Sequence, residues 1–174
     1  KYLGSKSVIV MPKNKSEKKK KMLKLCGADL KLVEALPYKN PGNYIRYSET
    51  LSKSINNPNG VLWANQFDNL SNKKSHYTTT GPEIFDQLSS KIDGFICAIG
   101  TGGTIAGVSD FLKERNKNIK IGLADPMGSA MYNYYSKGKL ESSGTSITEG
   151  IGQGRITNNL KDTIIDEYFQ VTDK

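Results

Sequence analysis

The sequence has one histidine, two cysteines and one tryptophan among its 174 residues. A single histidine, His76, with no paired-ligand spacing around it argues against a zinc site. Cys26 and Cys97 lie far apart, one at a helix end and one inside an apolar strand. That is the pattern of two reduced core thiols in a cytoplasmic protein rather than of a disulfide framework. No apolar run approaches the roughly 20 residues needed to span a bilayer, so no membrane partner is expected. Equally absent are a Ser/His/Asp set, a close carboxylate pair, an internal repeat and a low-complexity linker. A site in this chain therefore needs a bound group that carries the chemistry, or catalytic residues supplied from elsewhere.

What is present reads as a globular α/β protein. The apolar fraction is 36% and the mean hydropathy −0.51, and the length is enough for a sizeable core. The net charge of +8 suggests a polyanion partner until it is located. Residues 1–24 hold nine Lys and one Glu, while the remainder balances to zero. The excess is thus one stretch, Lys13 to Lys24, on a helix whose Met22, Leu23, Leu25 and Cys26 can face a core. A solvated helix face explains it, and nucleic acid is not expected as a partner. The opening Lys1-Tyr2-Leu3-Gly4 reads like the last turn of a helix closed by a C′ glycine, so a fragment of a longer chain is expected.

Strand and helix signals alternate. Ser7 to Met11 reads as a buried strand, Ser16 to Cys26 as a helix stopped by Gly27, and Leu30 to Glu34 as a second strand. Tyr44, Tyr47, Leu51 and Ile55 recur at helical spacing, and Val61-Leu62-Trp63-Ala64 reads as a third strand. Thr80-Gly81-Pro82-Glu83 has capping-box spacing and is expected to start a helix running to about Leu88. Gly94 to Ile99 is a continuous apolar run of the kind buried on both faces. A helix with Ile105, Val108 and Leu112 on one stripe follows, then a strand from Ile119 to Ala124 ending at Asp125-Pro126. This order implies an α/β fold with open, mainly parallel sheets and helices on both faces.

The segment richest in chemistry is Gly100-Thr101-Gly102-Gly103-Thr104. Glycine lets the backbone approach an anion closely, and the N-terminus of the helix that follows adds partial positive charge and free N–H groups. Thr101 and Thr104 add hydroxyl donors. The pattern is neither a dinucleotide fingerprint nor a Walker A loop. It fits an anion cradle, with a plain tight turn as the alternative. Gln66 and Asn69 sit in a polar segment just past a strand end, where an amide can hold a carboxylate, though an ordinary polar loop reads the same way. His76 by itself is more in keeping with a structural role than a catalytic one. Glu149 to Gly154 is a second glycine-rich turn, either a plain loop or bare backbone against which a flat ligand lies. Tyr132, Tyr134 and Tyr135 read as packing.

In order and spacing, Gln66-Phe67, the run from His76 to Glu83, Gly100 to Thr104, Asp125-Pro126 and Glu149 to Gly152 resemble the cysteine synthase (O-acetylserine sulfhydrylase) and cystathionine β-synthase family of pyridoxal-phosphate enzymes. Gly27-Ala28-Asp29 fits as well, and the likeness covers nearly the whole chain. It implies a two-domain fold type II enzyme in which residues 1–64 belong to a small mobile substrate domain and 65–174 to the large cofactor domain. It implies that Gly100, Thr101, Gly102, Gly103 and Thr104 hold the phosphate of pyridoxal 5′-phosphate. On the same mapping Gln66 helps bind the substrate carboxylate, and Gly150, Ile151 and Gly152 line the pyridine ring and substrate. His76 receives no catalytic role.

The resemblance further implies a homodimer that makes L-cysteine from O-acetylserine and sulfide by β-elimination and β-addition. A serine/homocysteine condensation and a non-catalytic cofactor-binding homologue are the alternatives. No catalytic residue is nominated here, because the family's Schiff-base lysine and its Ser/Thr-Gly-Asn-Thr-Gly substrate loop are expected upstream of residue 1. The Ser/Thr facing the pyridine nitrogen is expected beyond Lys174. Arg155 and Thr157 depart from the Phe and Pro that many members carry, which bears on the second substrate.

Overall fold

The computed structural model describes residues 4–173, so the helical turn expected at Lys1 to Leu3 lies outside the described residues. The chain divides into two compact units, Lys1–Asn65 and Gln66–Lys174.

In the first unit, β1 (Val8–Pro12) and β2 (Asp29–Val33) pair in parallel, with Val8 opposite Asp29 and Pro12 opposite Val33. The crossover is α1 (Glu17–Leu25), capped at its start by the Ser16 hydroxyl accepting from the Lys19 N–H at 3.4 Å. It ends in a Schellman closure: Gly27 takes a φ of +76°, its N–H donates to Lys24 O at 2.8 Å, and the Ala28 N–H donates to Leu23 O at 3.0 Å. The apolar side of α1 differs from expectation. Met22 and Leu25 are 55% and 74% exposed, Cys26 is an exposed free thiol, and Leu23 alone of the four is half-buried. A two-stranded sheet offers too little surface to cover a whole helical stripe. The lysines are partly paired, Lys13 with Glu34 and Lys20 with Glu17.

Helix α2 (Tyr44–Ser54) is capped by Asn43, which is 5% exposed. Its Oδ1 accepts from the Ile45 N–H and its Nδ2 donates to Leu36 O at 2.7 Å. The strand expected at 61–64 does not form. Among the described residues no strand pairs with them, and Leu62 is 89% exposed. Apolar, β-prone residues make a strand only where a neighbour completes the ladder.

In the second unit, β3 (Gly94–Cys97), β4 (Lys120–Pro126) and β5 (Glu167–Val171) form a parallel sheet in that spatial order. The apolar run entered by Gly94 is therefore an edge strand rather than one buried on both faces, and Ile96 is 58% exposed. The central strand β4 buries Ile121 and Leu123 completely. Helix α5 (Gly103–Arg115) lays Ile105, Val108 and Leu112 into the core, all within 1% of full burial. Burial of side chains of this size stabilises by about 1.5–3 kcal/mol each before conformational entropy is subtracted.

The helix expected to begin at Thr80 begins nine residues earlier. Helix α3 (Ser71–Ser75) runs through a π turn (His76–Thr80) into α4 (Gly81–Gln87). Thr80 is helical and makes no cap. The wider turn, in which the Gly81 N–H donates to His76 O, absorbs Pro82. Proline has no N–H to give and its ring collides with the carbonyl four residues back in a regular helix. A seven-residue helix, α6 (Met131–Lys137), follows β4 and takes Asp125 Oδ2 as acceptor for its Tyr132 N–H at 2.8 Å.

Candidate functional site

The loop from β3 to α5 is built by disposing of its carbonyls. Ile99 O accepts from the Gly152 N–H at 2.8 Å. Gly100 O accepts from Gln153 Nε2 at 2.9 Å and Thr101 O from the Thr157 hydroxyl at 2.8 Å. Gly102 O accepts from the Ala106 N–H at 3.0 Å, opening α5. Four consecutive acceptors are thus occupied. The first N–H groups of α5 have no carbonyl a turn behind them. The Gly103 N–H makes a long contact, 3.4 Å, to the Thr101 hydroxyl oxygen, and the N-cap position Gly102 has no side chain to offer. An excess of donors at a helix N-terminus is what an anion requires.

Glycine is needed here for space as well as for turning. Gly102 has a φ of +87°, and a Cβ on it overlaps the buried Leu160 side chain. A Cβ on Gly103 overlaps Asn72, and one on Gly100 comes within 2.6 Å of Gly150 O. The last contact brings the second glycine turn against the first, and Gly150 and Gly152 take φ of +91° and +88°.

Two threonine hydroxyls join the donors, each approached from behind. Asn72 Nδ2 donates to Thr101 Oγ1 at 2.9 Å and to Gln66 O at 2.8 Å. On the other side His76 Nε2 lies 3.2 Å from Thr104 Oγ1, and its Nδ1 lies 2.9 Å from Thr80 Oγ1. Gln66 is tied by its backbone, which also accepts from Asn159 Nδ2 at 3.1 Å. Its side chain is exposed. Asn69, by contrast, accepts from the Ser71 N–H at 3.0 Å and opens α3, which is a structural use. Ile151 is 41% exposed beside the loop.

The two departures from the family pattern have structural explanations. Arg155 forms a bidentate pair with Asp68, at 3.1 and 2.8 Å, and Asp68 Oδ1 also accepts from the Asn158 N–H at 2.9 Å. Both side chains are about four-fifths buried. The Arg155 guanidinium, with the Asn158 N–H in support, holds the Asp68 carboxyl below the ordinary carboxylate range against the opposing effect of burial. The Arg155 charge is thereby neutralised inside the protein, and Thr157 is occupied in fixing Thr101 O. Sequence reasoning did not single out Asn72, Gln153, Thr157 or Asn159 as builders of the loop. Among the described residues no group of three or more metal-ligating side chains occurs, and no helix is long and apolar enough to cross a membrane.

An α/β unit with a glycine loop, spent carbonyls and backbone donors at a helix N-terminus is an arrangement suited to an anion. The chain belongs to the pyridoxal-phosphate dependent enzyme family, whose model matches residues 1–174. It is 45% identical over 176 residues to cysteine synthase 1 of Neurospora crassa, covering 98% of this chain and 46% of that protein. It is likewise 45% identical to cysteine synthase 1 of Emericella nidulans, covering 98% of this chain and 47% of that protein. Among solved structures it resembles an O-acetylserine dependent cystathionine β-synthase from Helicobacter pylori, with a TM-score of 0.81 and 29% identity over 97% of this chain and 51% of that one. The chain spans about half the length of the curated relatives it matches. The donor set fits the family's cofactor: backbone N–H groups and two hydroxyls suit a phosphate dianion, and side chains on the glycines would crowd the loop that presents them.

Proposed function

We propose that the whole protein is a cysteine synthase, joining O-acetylserine and sulfide into L-cysteine by replacement at the substrate β-carbon. The observation that carries this reading is the loop in which Ile99, Gly100, Thr101 and Gly102 each have their carbonyl engaged. The cysteine synthases at 45% identity support the choice of reaction. When bound, pyridoxal phosphate supplies an electron sink for charge developing at the substrate α-carbon.

In this reading Gly100 to Thr104 grip the phosphate and fix the depth and tilt of the cofactor. Gln66, its backbone clamped by Asn72 and Asn159, presents its amide to the substrate carboxylate. Gly150, Ile151 and Gly152 offer a flat, side-chain-poor wall for the pyridine ring and substrate. Such positioning turns an encounter of separate molecules into a local event, which can remove about 7–11 kcal/mol from a barrier. Residues 1–64 serve as part of the small substrate domain, and residues 65–174 as part of the cofactor domain. The base that moves the α-proton comes from another part of the protein. Homodimeric assembly and a cytoplasmic location belong to the same proposal, the latter supported by the free thiols of Cys26 and Cys97.

Turnover by the whole protein tests the proposal. O-acetylserine with sulfide is expected to give cysteine, and serine with homocysteine to give little product. Preference for the second pair would move the assignment to cystathionine formation. No product from either would favour a non-catalytic homologue.

A further inference from the structure

His76 was set aside as a lone histidine, yet it bridges the π turn and the glycine loop. Its two ring nitrogens face two hydroxyls, Thr80 Oγ1 at 2.9 Å and Thr104 Oγ1 at 3.2 Å. Both hydroxyls can donate or accept, so the geometry alone permits either tautomer. The opposite side of the loop has no such freedom. Asn72 Nδ2 donates to the Gln66 carbonyl as well as to Thr101 Oγ1, so Thr101 must accept from behind. The Thr101 O–H is then left to point at whatever the loop holds.

We propose that His76 is a positioning residue that imposes the same polarity on Thr104: Thr80 O–H donates to Nδ1, Nε2–H donates to Thr104 Oγ1, and the Thr104 O–H donates to the cofactor phosphate. The inference rests on the reading of Gly100 to Thr104 as that phosphate's cradle. An anion is acceptor-only, so a Thr104 hydroxyl that contacts it must spend its one proton there. It then needs a donor behind it, and the His76 ring is the group in reach. The π turn has a purpose on this account. It carries His76 and Thr80 at its two ends, and it packs on α5 where Gly107 has no side chain. A Cβ on Gly107 falls 2.7 Å from His76 Cβ and overlaps Lys73 O.

The test is nitrogen NMR of the 15N-histidine-labelled whole protein carrying pyridoxal phosphate, with the His76 signals assigned by their loss in His76→Gln. The expected result is a pyrrole-type Nε2 and a pyridine-type Nδ1. A proton on Nδ1, in either the other tautomer or the imidazolium, overturns the relay. Affinity for pyridoxal phosphate supplies an independent arm. His76→Leu and Thr104→Val are each expected to weaken it about tenfold, the double variant no further than about tenfold, and His76→Gln, which keeps a donor, only about threefold. A double variant weakened about a hundredfold contradicts the relay, since additive losses mean that the two residues act separately. If pyridoxal phosphate binds without shifting the amide resonances of Gly103 and Thr104, the cradle reading fails and the relay falls with it.

Discussion

Replacing Gly102 with alanine separates two reasons for glycine in the phosphate loop. The first is conformational: Gly102 sits at φ +87°, where a side chain costs about 1–2 kcal/mol. The second is spatial: the added Cβ overlaps Leu160, which is 2% exposed in the core. Leu160 cannot swing away freely, because the short 3-10 turn that carries it, Asn158–Leu160, is tied to Asp68 through the Asn158 N–H. Forcing a methyl into such packing costs about 1–3 kcal/mol more. Gly138 is the control, with φ +69° and nothing within 4 Å of a Cβ. Gly138→Ala therefore pays the conformational part alone. Urea unfolding followed by fluorescence is expected to place Gly138→Ala about 1–2 kcal/mol below the native protein and Gly102→Ala about 2–5 below it, at similar m-values. Equal losses in the two variants would refute the packing argument, whatever their size.

Two further outcomes follow from contacts in the same unit. Asp68→Asn breaks the bidentate pair with Arg155 and is expected to cost about 1–3 kcal/mol at pH 7. Because the Asp68 carboxyl is held low by Arg155, its contribution is complete above the unfolded value of about 3.9 and is lost as the pH falls through the lower folded value. The stability gap between native and variant protein should close in acid, and a gap that widens below pH 4 contradicts this. Gly107→Ala drives a Cβ into Lys73 O and toward His76, so it is expected to destabilise by about 1–3 kcal/mol and to weaken cofactor affinity as His76→Leu does. Unchanged affinity with lowered stability would separate packing from positioning.

Much of the fold was legible because its signals are local. Ser16, Gly27 and the apolar stripe of α5 each act within a turn of the backbone they shape. Gly100 to Thr104 stood out for the same reason, since three glycines and two threonines between an apolar run and a helix leave few other uses. The misreadings came from partners. Val61 to Ala64 has strand residues but no neighbouring strand, and the run after Gly94 is apolar yet lies at a sheet edge. Strand β5 was not anticipated, because Glu167-Tyr168-Phe169-Gln170-Val171 is short and gains its place only by pairing with β4. Thr80 looked like a cap because Pro82 normally begins or breaks a helix, and a π turn hides that rule. The loop's supports were invisible for a related reason: Gln153 reaches Gly100 across 53 residues and Thr157 reaches Thr101 across 56. His76 was visible as a residue, but its use depends on a contact 28 residues away.

A crystal structure of the whole protein with pyridoxal phosphate tests the central claim most directly. The expected result is a cofactor phosphate within about 3 Å of the N–H groups of Gly102, Gly103 and Thr104 and of the Thr101 and Thr104 hydroxyls. The carbonyls of Gly100 and Thr101 should remain turned away on Gln153 and Thr157. A phosphate bound elsewhere, or a loop whose carbonyls face it, would contradict the account.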